Sequence, residues 1–222
     1  MVNDDLTIRI DGRRPPSAAS VAALATVCDR AEDRGEHGTV IVHVSGAPPA
    51  EAPASYVPMA LVSKWERALR RLERLPAATI ALAAGDCGGP ALEALLATDY
   101  RIALESVRLL VTAPGGIAWP GMALYRLSHQ AGVAAVRRAV LFGSPIDAIA
   151  ALAMGLLDEL AADATIAKAR AAQVAEATSG AELAVRRQLM LDASATSFED
   201  SLGVHLAACD RVLRRAAAEM TR

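Results

Sequence analysis

The chain has 222 residues, a formal net charge of −2 and three dispersed cysteines. That length buries a core without metal or disulfide staples. The near-neutral charge gives no support for a nucleic-acid partner, and no run approaches the roughly 18 apolar residues that a membrane helix needs. Alanine and leucine carry a hydrophobic fraction of 53% against only 3% aromatics, a composition that favours helices.

The elements alternate along the chain. "LTIRI" reads as a short strand and "SAASVAALATVCDRAEDRG" as an amphipathic helix, with Ser17 or Ser20 as its cap and Gly35 as its stop. "TVIVHVSG" is a β-branched run of the kind a buried parallel strand shows. "APPAEAPASYVPM" holds four prolines and is a loop. A helix over "ALVSKWERALRRLERL", a strand over "ATIALAAG", a helix over "PALEALLATD" and two short strands, "YRIAL" and "RLLVTA", follow. From Met122 onward the pattern is almost wholly helical. Strand and helix alternating, then a helical tail, predict an α/β fold with a mostly parallel sheet, divided into a core over 1–165 and a C-terminal helical region over 166–222.

Cys28, Cys87 and Cys209 lack the paired spacing of a zinc or disulfide framework, so reduced thiols and no metal are expected. The first residues, "MVNDDLTIRIDGRR", open with acids and contain no apolar stretch of signal-peptide length, which points to a soluble cytoplasmic protein. "RRLER" and "RVLRR" are basic but helically spaced, and read as solvated faces.

Function in such folds collects where strand ends meet helix starts. Two stretches qualify: "GDCGGPALEALL" and "PGGIAWPGM". In each, glycine allows a tight turn that leaves backbone N–H groups open to an oxygen ligand. Glu93 is the only charge inside the first helical run. It is either a catalytic acid or base, its proton affinity raised by an apolar setting, or a first-turn acid worth about 0.3–1 kcal/mol against the helix dipole. His43 alternates along a strand and suits packing, while His129 and His205 lack an acidic partner at triad spacing. Asp86 either contacts substrate or forms the turn, and Trp119 either walls a pocket or packs in the core.

Residues 76–160 resemble the central part of the crotonase, or enoyl-CoA hydratase/isomerase, superfamily. The family's run "NG.A.GGG.ELAL.CDYRIA", "PE.GLG..PG" and "LTGRPI.A.EAL..GLV.EV" is matched in order by "ALAAGDCGGPALEALLATDYRIA", "LLVTAPGGIAWPG" and "LFGSPIDAIAALAMGLLDEL". The resemblance implies a crotonase-like spiral of ββα units with a C-terminal helical region. It also implies an acyl-CoA substrate with no other cofactor, and a thioester oxygen held between two backbone N–H groups.

Carried across, one donor position falls on Pro90, which has no N–H. Either Gly88, Gly89 or Ala91 supplies the donor from a shifted turn, or the hole is damaged. Proline at the first position of a helix, with Gly89 as cap, is equally explained by helix initiation. The other donor falls near Gly46 or Ala47, where the family's "AG.D" is replaced by "SGAPPAE". The resemblance places Gly115, Gly116 and Trp119 beside the acyl pocket. Of the two glutamates that hydratases of the family use, Glu93 matches the first, whereas the second falls on Ala113. Two-glutamate hydration is therefore not expected.

"KWERALRRLERL", "WPGMALYRLSHQAG" and "FEDSLGVHLAACDRVLRRA" further resemble small crotonase-like accessory proteins that work beside a type III polyketide synthase forming 3,5-dihydroxyphenylacetyl-CoA. That resemblance implies a lyase acting on a polyketide-CoA, or a non-catalytic partner of the synthase or of its CoA intermediate. It also implies a trimer or hexamer built through the C-terminal helices. Arg13, Arg14 and Lys64 are candidates for the CoA phosphates.

Overall fold

The computed structural model describes residues 6–35, 38–49, 57–111, 121–177 and 181–220. Strand β1 (Thr7–Asp11) and helix α1 (Ala18–Arg34) open the chain. The Ser17 hydroxyl accepts from Ser20 N–H at 3.1 Å while Ser20 Oγ accepts from Ser17 N–H at 2.8 Å, so the two alternative caps form one reciprocal capping box.

The next elements are β2 (Thr39–Gly46), α2 (Met59–Leu72), β3 (Ala78–Gly88), α3 (Pro90–Leu96), β4 (Tyr100–Leu104) and β5 (Arg108–Leu110). Then come α4 (Ala123–Ala131), α5 (Val133–Phe142), β6 (Ile146–Asp147), α6 (Ala148–Ala153), β7 (Glu159–Ala161), α7 (Ala164–Ala177), α8 (Ala181–Ala193) and α9 (Phe198–Met220). Two short strands, β6 and β7, interrupt the stretch expected to be nearly all helix. At two and three residues, neither is long enough to leave a periodic signature.

The sheet runs β1-β2-β3-β4-β7, with β5 branching from β3 and β6 pairing β5. All pairings are parallel except β5 with β6. β3 serves both branches. Its first half, Ile80–Ala83, pairs β4, and its last three residues, Asp86–Gly88, pair β5. Between the halves the register against β2 slips, Ser45 pairing Ala84 and Gly46 pairing Cys87. Gly85 absorbs that bulge at φ +63°, where a side chain would be strained. The strand expected to end at Gly85 therefore continues to Gly88, and the functional turn is displaced to Gly88–Gly89.

One face of the sheet carries the larger core, with Leu24 from α1, Trp65 and Leu69 from α2 and Leu92 and Leu95 from α3 among its buried members. The other face packs Ile41, Ile80, Leu82 and Ile102 against Ala167 and Ala171 of α7. Helix α7, placed by the sequence with the C-terminal helices, thus covers the sheet. Beyond it α8 and α9 pair with each other, and Arg187 of α8 reaches the sheet side. Its guanidinium pairs with Asp99 at 2.6 Å and donates to the carbonyls of Leu75 and Ala77.

Candidate active site

Three strand ends converge on one spot. Gly12, just past β1, donates its N–H to Ser45 O at 2.8 Å. A Cβ on Gly12 would overlap the carbonyl oxygens of both Gly46 and Gly88 and would stand 2.9 Å from the Ala91 methyl. The position accepts only glycine for that steric reason. A Cβ on Gly88 would likewise stand 2.9 Å from Ala47 Cβ. The structure therefore brings together Gly46, Ala47, Gly88, Gly89 and Ala91, five of the residues nominated from sequence. Gly12, equally central, was missed, because a lone glycine after a strand carries no distinctive signal.

The turn itself is tightly built. Gly89 caps α3 at φ +51° and Pro90 is the helix's first residue. The ring of Pro48 lies across the turn, with its Cγ 3.1 Å from where a Gly89 Cβ would be. Gly88, Gly89, Pro90 and Ala91 are all buried. Pro48, Pro49 and Pro90 offer no N–H, so among the described residues of these two turns the backbone donors available to an oxygen ligand are Gly46 and Ala47 on one side and Gly88, Gly89 and Ala91 on the other.

Glu93 lies one turn further along α3. While Ala91 faces Gly12, Glu93 enters the contact among α2, α3 and α4, at 0% exposure. Trp65 Nε1 donates to its Oε2 at 2.8 Å. Among the described residues its Oε1 has no hydrogen-bond partner, and it lies so close to Gly121 that a Cβ there would overlap it. Burial first, and the neighbouring Glu66 carboxylate second, push the Glu93 carboxyl up to about 8, against the opposing pull of Trp65 and Arg126. Both causes favour the protonated, neutral form of the side chain.

Glu66 of α2 and Glu73, the residue that caps the helix's C-terminus, complete the cluster. Arg126 of α4, 7% exposed, donates to Glu66 Oε2 at 2.9 Å and to Glu73 Oε1 at 2.6 Å, and Met122 N–H donates to Glu66 Oε1 at 2.9 Å. The sequence nominated none of Trp65, Glu66, Arg126 or Gly121. One signal was available for α2: the buried positions Val62, Trp65, Leu69 and Leu72 follow helical spacing and set Trp65 on the inner face.

The remaining nominations are dispersed. Asp86 is neither in the turn nor turned toward the Gly88–Gly89 bend. It lies in β3 opposite Arg108, which grips it with two bonds of 2.8 Å at the protein surface. Gly115, Gly116, Trp119 and Ala113 lie outside the described residues. Cys87 lies at the bend, but burial pushes its thiol up to about 12, which disfavours a thiolate nucleophile. His129 stacks on Tyr125 with ring centroids 5.3 Å apart and meets Ser194 Oγ at 2.7 Å, and His205 Nδ1 meets Ser201 O at 3.0 Å. His43 sits opposite Arg9 in the sheet, with burial lowering its proton affinity. A cleft of about 360 Å³ opens between α8 and α9, lined by residues such as Phe198, Leu202 and His205 and by none from the turns. Among the described residues no group of side chains suits a metal ion, and no helix is long and apolar enough to cross a membrane.

Comparison with known proteins gives this arrangement a family. The enoyl-CoA hydratase/isomerase pattern matches residues 58–219. An enoyl-CoA hydratase of Amycolatopsis orientalis is 52% identical over 216 residues, covering 97% of this chain and 99% of that protein. A probable enoyl-CoA hydratase of Mycobacterium avium is 35% identical over 106 residues, 47% of this chain and 41% of the relative. An enoyl-CoA hydratase structure from Mycobacterium smegmatis superposes with a TM-score of 0.78 at 17% identity, over 95% of this chain and 88% of the other. A putative enoyl-CoA hydratase from Thermobifida fusca, solved with CoA, gives 0.73 at 21% identity, over 96% and 91%. On the strength of the matched pattern and of the 52% identical relative, the chain belongs to the enoyl-CoA hydratase/isomerase, or crotonase, superfamily.

Proposed function

We propose that the chain is an acyl-CoA lyase that dehydrates and helps aromatise a cyclised polyketide-CoA, toward 3,5-dihydroxyphenylacetyl-CoA, beside a type III polyketide synthase. What supports this reading is Glu93, one turn past the Gly88–Gly89 bend, with a raised proton affinity, one oxygen fixed by Trp65 and the other without a hydrogen-bond partner among the described residues.

A single carboxyl can serve such an elimination. Glu93 gives its proton to the hydroxyl leaving a ring carbon, so that water departs. The carboxylate then takes the proton from the adjacent carbon as the C=C bond forms, and the acid is restored. A backbone N–H among Gly46, Ala47, Gly88, Gly89 and Ala91 would polarise the carbonyl that acidifies that carbon. Aromatic stabilisation of the product lowers the demand on the catalyst, which suits a site lacking a carboxylate at Ala113. Arg13, whose side chain packs beside Gly46, with Arg14 and Lys64, would meet the CoA phosphates. The exposed apolar residues of α9, Leu202, Val204, Leu206 and Leu213 among them, suit assembly into a trimer or hexamer.

A second reading is a non-catalytic partner that binds the synthase or its CoA-linked intermediate. Pro90 at the donor position, Pro48 across the turn and the burial of Glu93 within a helix contact favour it. The test is Glu93→Gln in an assay reconstituted with the synthase. Loss of dihydroxyphenylacetyl-CoA formation with fold and oligomer intact is the result expected of a lyase. An unchanged yield overturns the lyase reading in favour of the partner.

A further inference from the structure

We propose that Glu66 is the second carboxyl of this site: it meets Glu93 at the Gly121–Met122 peptide, and the two side chains hold one proton between them, in place of the glutamate that the chain lacks at Ala113. Glu66 acts through Glu93, as a positioning residue. The proposal rests on the reading of Glu93 as the proton-transferring group.

The geometry comes from two independent contacts and one unpartnered oxygen. Glu93 Oε1 lies against Gly121 Cα from the side of α3. Glu66 Oε1 accepts the N–H of the next residue, Met122, at 2.9 Å from the side of α2. Both carboxyls therefore end at the same peptide, at the entry to α4. Oε1 of Glu93 has no partner there when both groups are ionised, since neither has a hydrogen to give. A proton on that oxygen supplies the missing hydrogen bond to Glu66 and relieves the orphaned buried atom, whose desolvation is otherwise uncompensated.

The surroundings decide which carboxyl holds the proton. Glu66 already accepts from two donors, Met122 N–H and the Arg126 guanidinium, each at 2.9 Å. Glu93 receives only the neutral indole N–H of Trp65. Facing Glu93 are thus Trp65 and Glu66 from α2 and Arg126 from α4, while Gly121 offers backbone alone; Glu73 bears on it only through Arg126, which it also binds. The rise of the Glu93 carboxyl toward about 8, with Glu66 among its causes, agrees with this allocation. Acid–base work at one carboxyl needs a route for recovering its proton, and a hydrogen-bonded carboxylate that is itself 16% exposed provides one.

The test follows the ¹³Cδ resonance of Glu93 against pH in the full-length protein. In the wild type a midpoint near 8 is expected. Glu66→Gln removes the charge but keeps an acceptor, and the midpoint should fall by at least about one pH unit, a tenfold loss of proton affinity. Glu73→Gln removes a charge that reaches Glu93 only through Arg126, and should lower the midpoint far less than Glu66→Gln does. If Glu66→Gln leaves the midpoint in place, or if Glu73→Gln lowers it equally, the shared proton is refuted. Should Glu66→Gln not fold, isotope-edited infrared spectra of the wild type still decide. A protonated carboxyl band present at pH 7 and missing from Glu93→Gln supports the pair, and its absence at pH 7 overturns it. A fully active Glu93→Gln would sink the functional reading yet leave these titrations unchanged, so the two failures are distinguishable.

Discussion

Trp65 and Glu93, 28 residues apart in sequence, are joined by a 2.8 Å hydrogen bond from the indole nitrogen to Oε2, with the two side chains 1% and 0% exposed. The bond anchors α3 to α2 through one donor. Trp65→Phe keeps an aromatic ring but removes that donor and part of the indole, and should cost at least about 1–3 kcal/mol in urea unfolding, for the carboxyl oxygen left buried without a partner and for the space left by the smaller ring. Because the indole bond lowers the proton affinity of Glu93, the Glu93 midpoint should move upward in this variant. A downward move would show that the indole bond is not what holds it.

The raised carboxyl has a definite effect on stability against pH. Glu93 goes from an ordinary 4.5 to about 8 on folding. Below 4.5 both states are protonated. Between 4.5 and 8 the unfolded chain releases the proton and the native chain keeps it, so stability falls with rising pH at up to about 1.4 kcal/mol per pH unit, and levels off above 8. Glu93→Gln lacks this term. Its stability relative to the wild type, from denaturant titrations at several pH values, should therefore rise across that window.

Gly121 is required by the carboxyl it faces. Gly121→Ala places a methyl on Glu93 Oε1 and should destabilise by about 1–3 kcal/mol. The same substitution in a Glu93→Ala background, where the space is vacant, should cost far less. A double-mutant cycle giving strictly additive costs would contradict the contact.

Arg187 fastens the C-terminal hairpin. It is 6% exposed and holds Asp99 and the carbonyls of Leu75 and Ala77. Arg187→Gln leaves Asp99 short of its partner and should cost about 3 kcal/mol. Hydrogen exchange should accelerate first in α8 and α9, with the amides of β2 and β3 little changed.

Much of this arrangement was legible in the residues. The β-branched run of β2, the capped α1 and the order "CGGPALEALLATDYRIA", strand, then "PIDAIAALAMGLLDEL" gave the layered fold and its family. The convergence of Gly46 and Ala47 with Gly88, Gly89 and Ala91 followed from that match. The bulge at Gly85 is not legible, since a glycine in a strand reads equally as its end, and so from sequence Asp86 reads as a substrate contact or a turn residue and not as the partner of Arg108. The direction of Glu93 was also hidden. On a helix of seven residues buried on every side, periodicity gives no preferred face, and only the placement of α2 and α4 sets where the carboxyl goes. Trp65, Glu66 and Arg126 are distant in sequence from Glu93 and meet it only through helix packing.

The most direct measurement is exchange of the hydrogens α to the thioester carbonyl of a simple acyl-CoA in deuterated buffer, followed by mass spectrometry. It requires Glu93 to move a proton and depends on no particular polyketide. The wild type should accelerate exchange over buffer, and Glu93→Gln should lose at least about 10²-fold of that rate while still binding the acyl-CoA. Exchange at the wild-type rate in Glu93→Gln, or a wild type no faster than buffer although acyl-CoA is bound, would contradict proton transfer by Glu93.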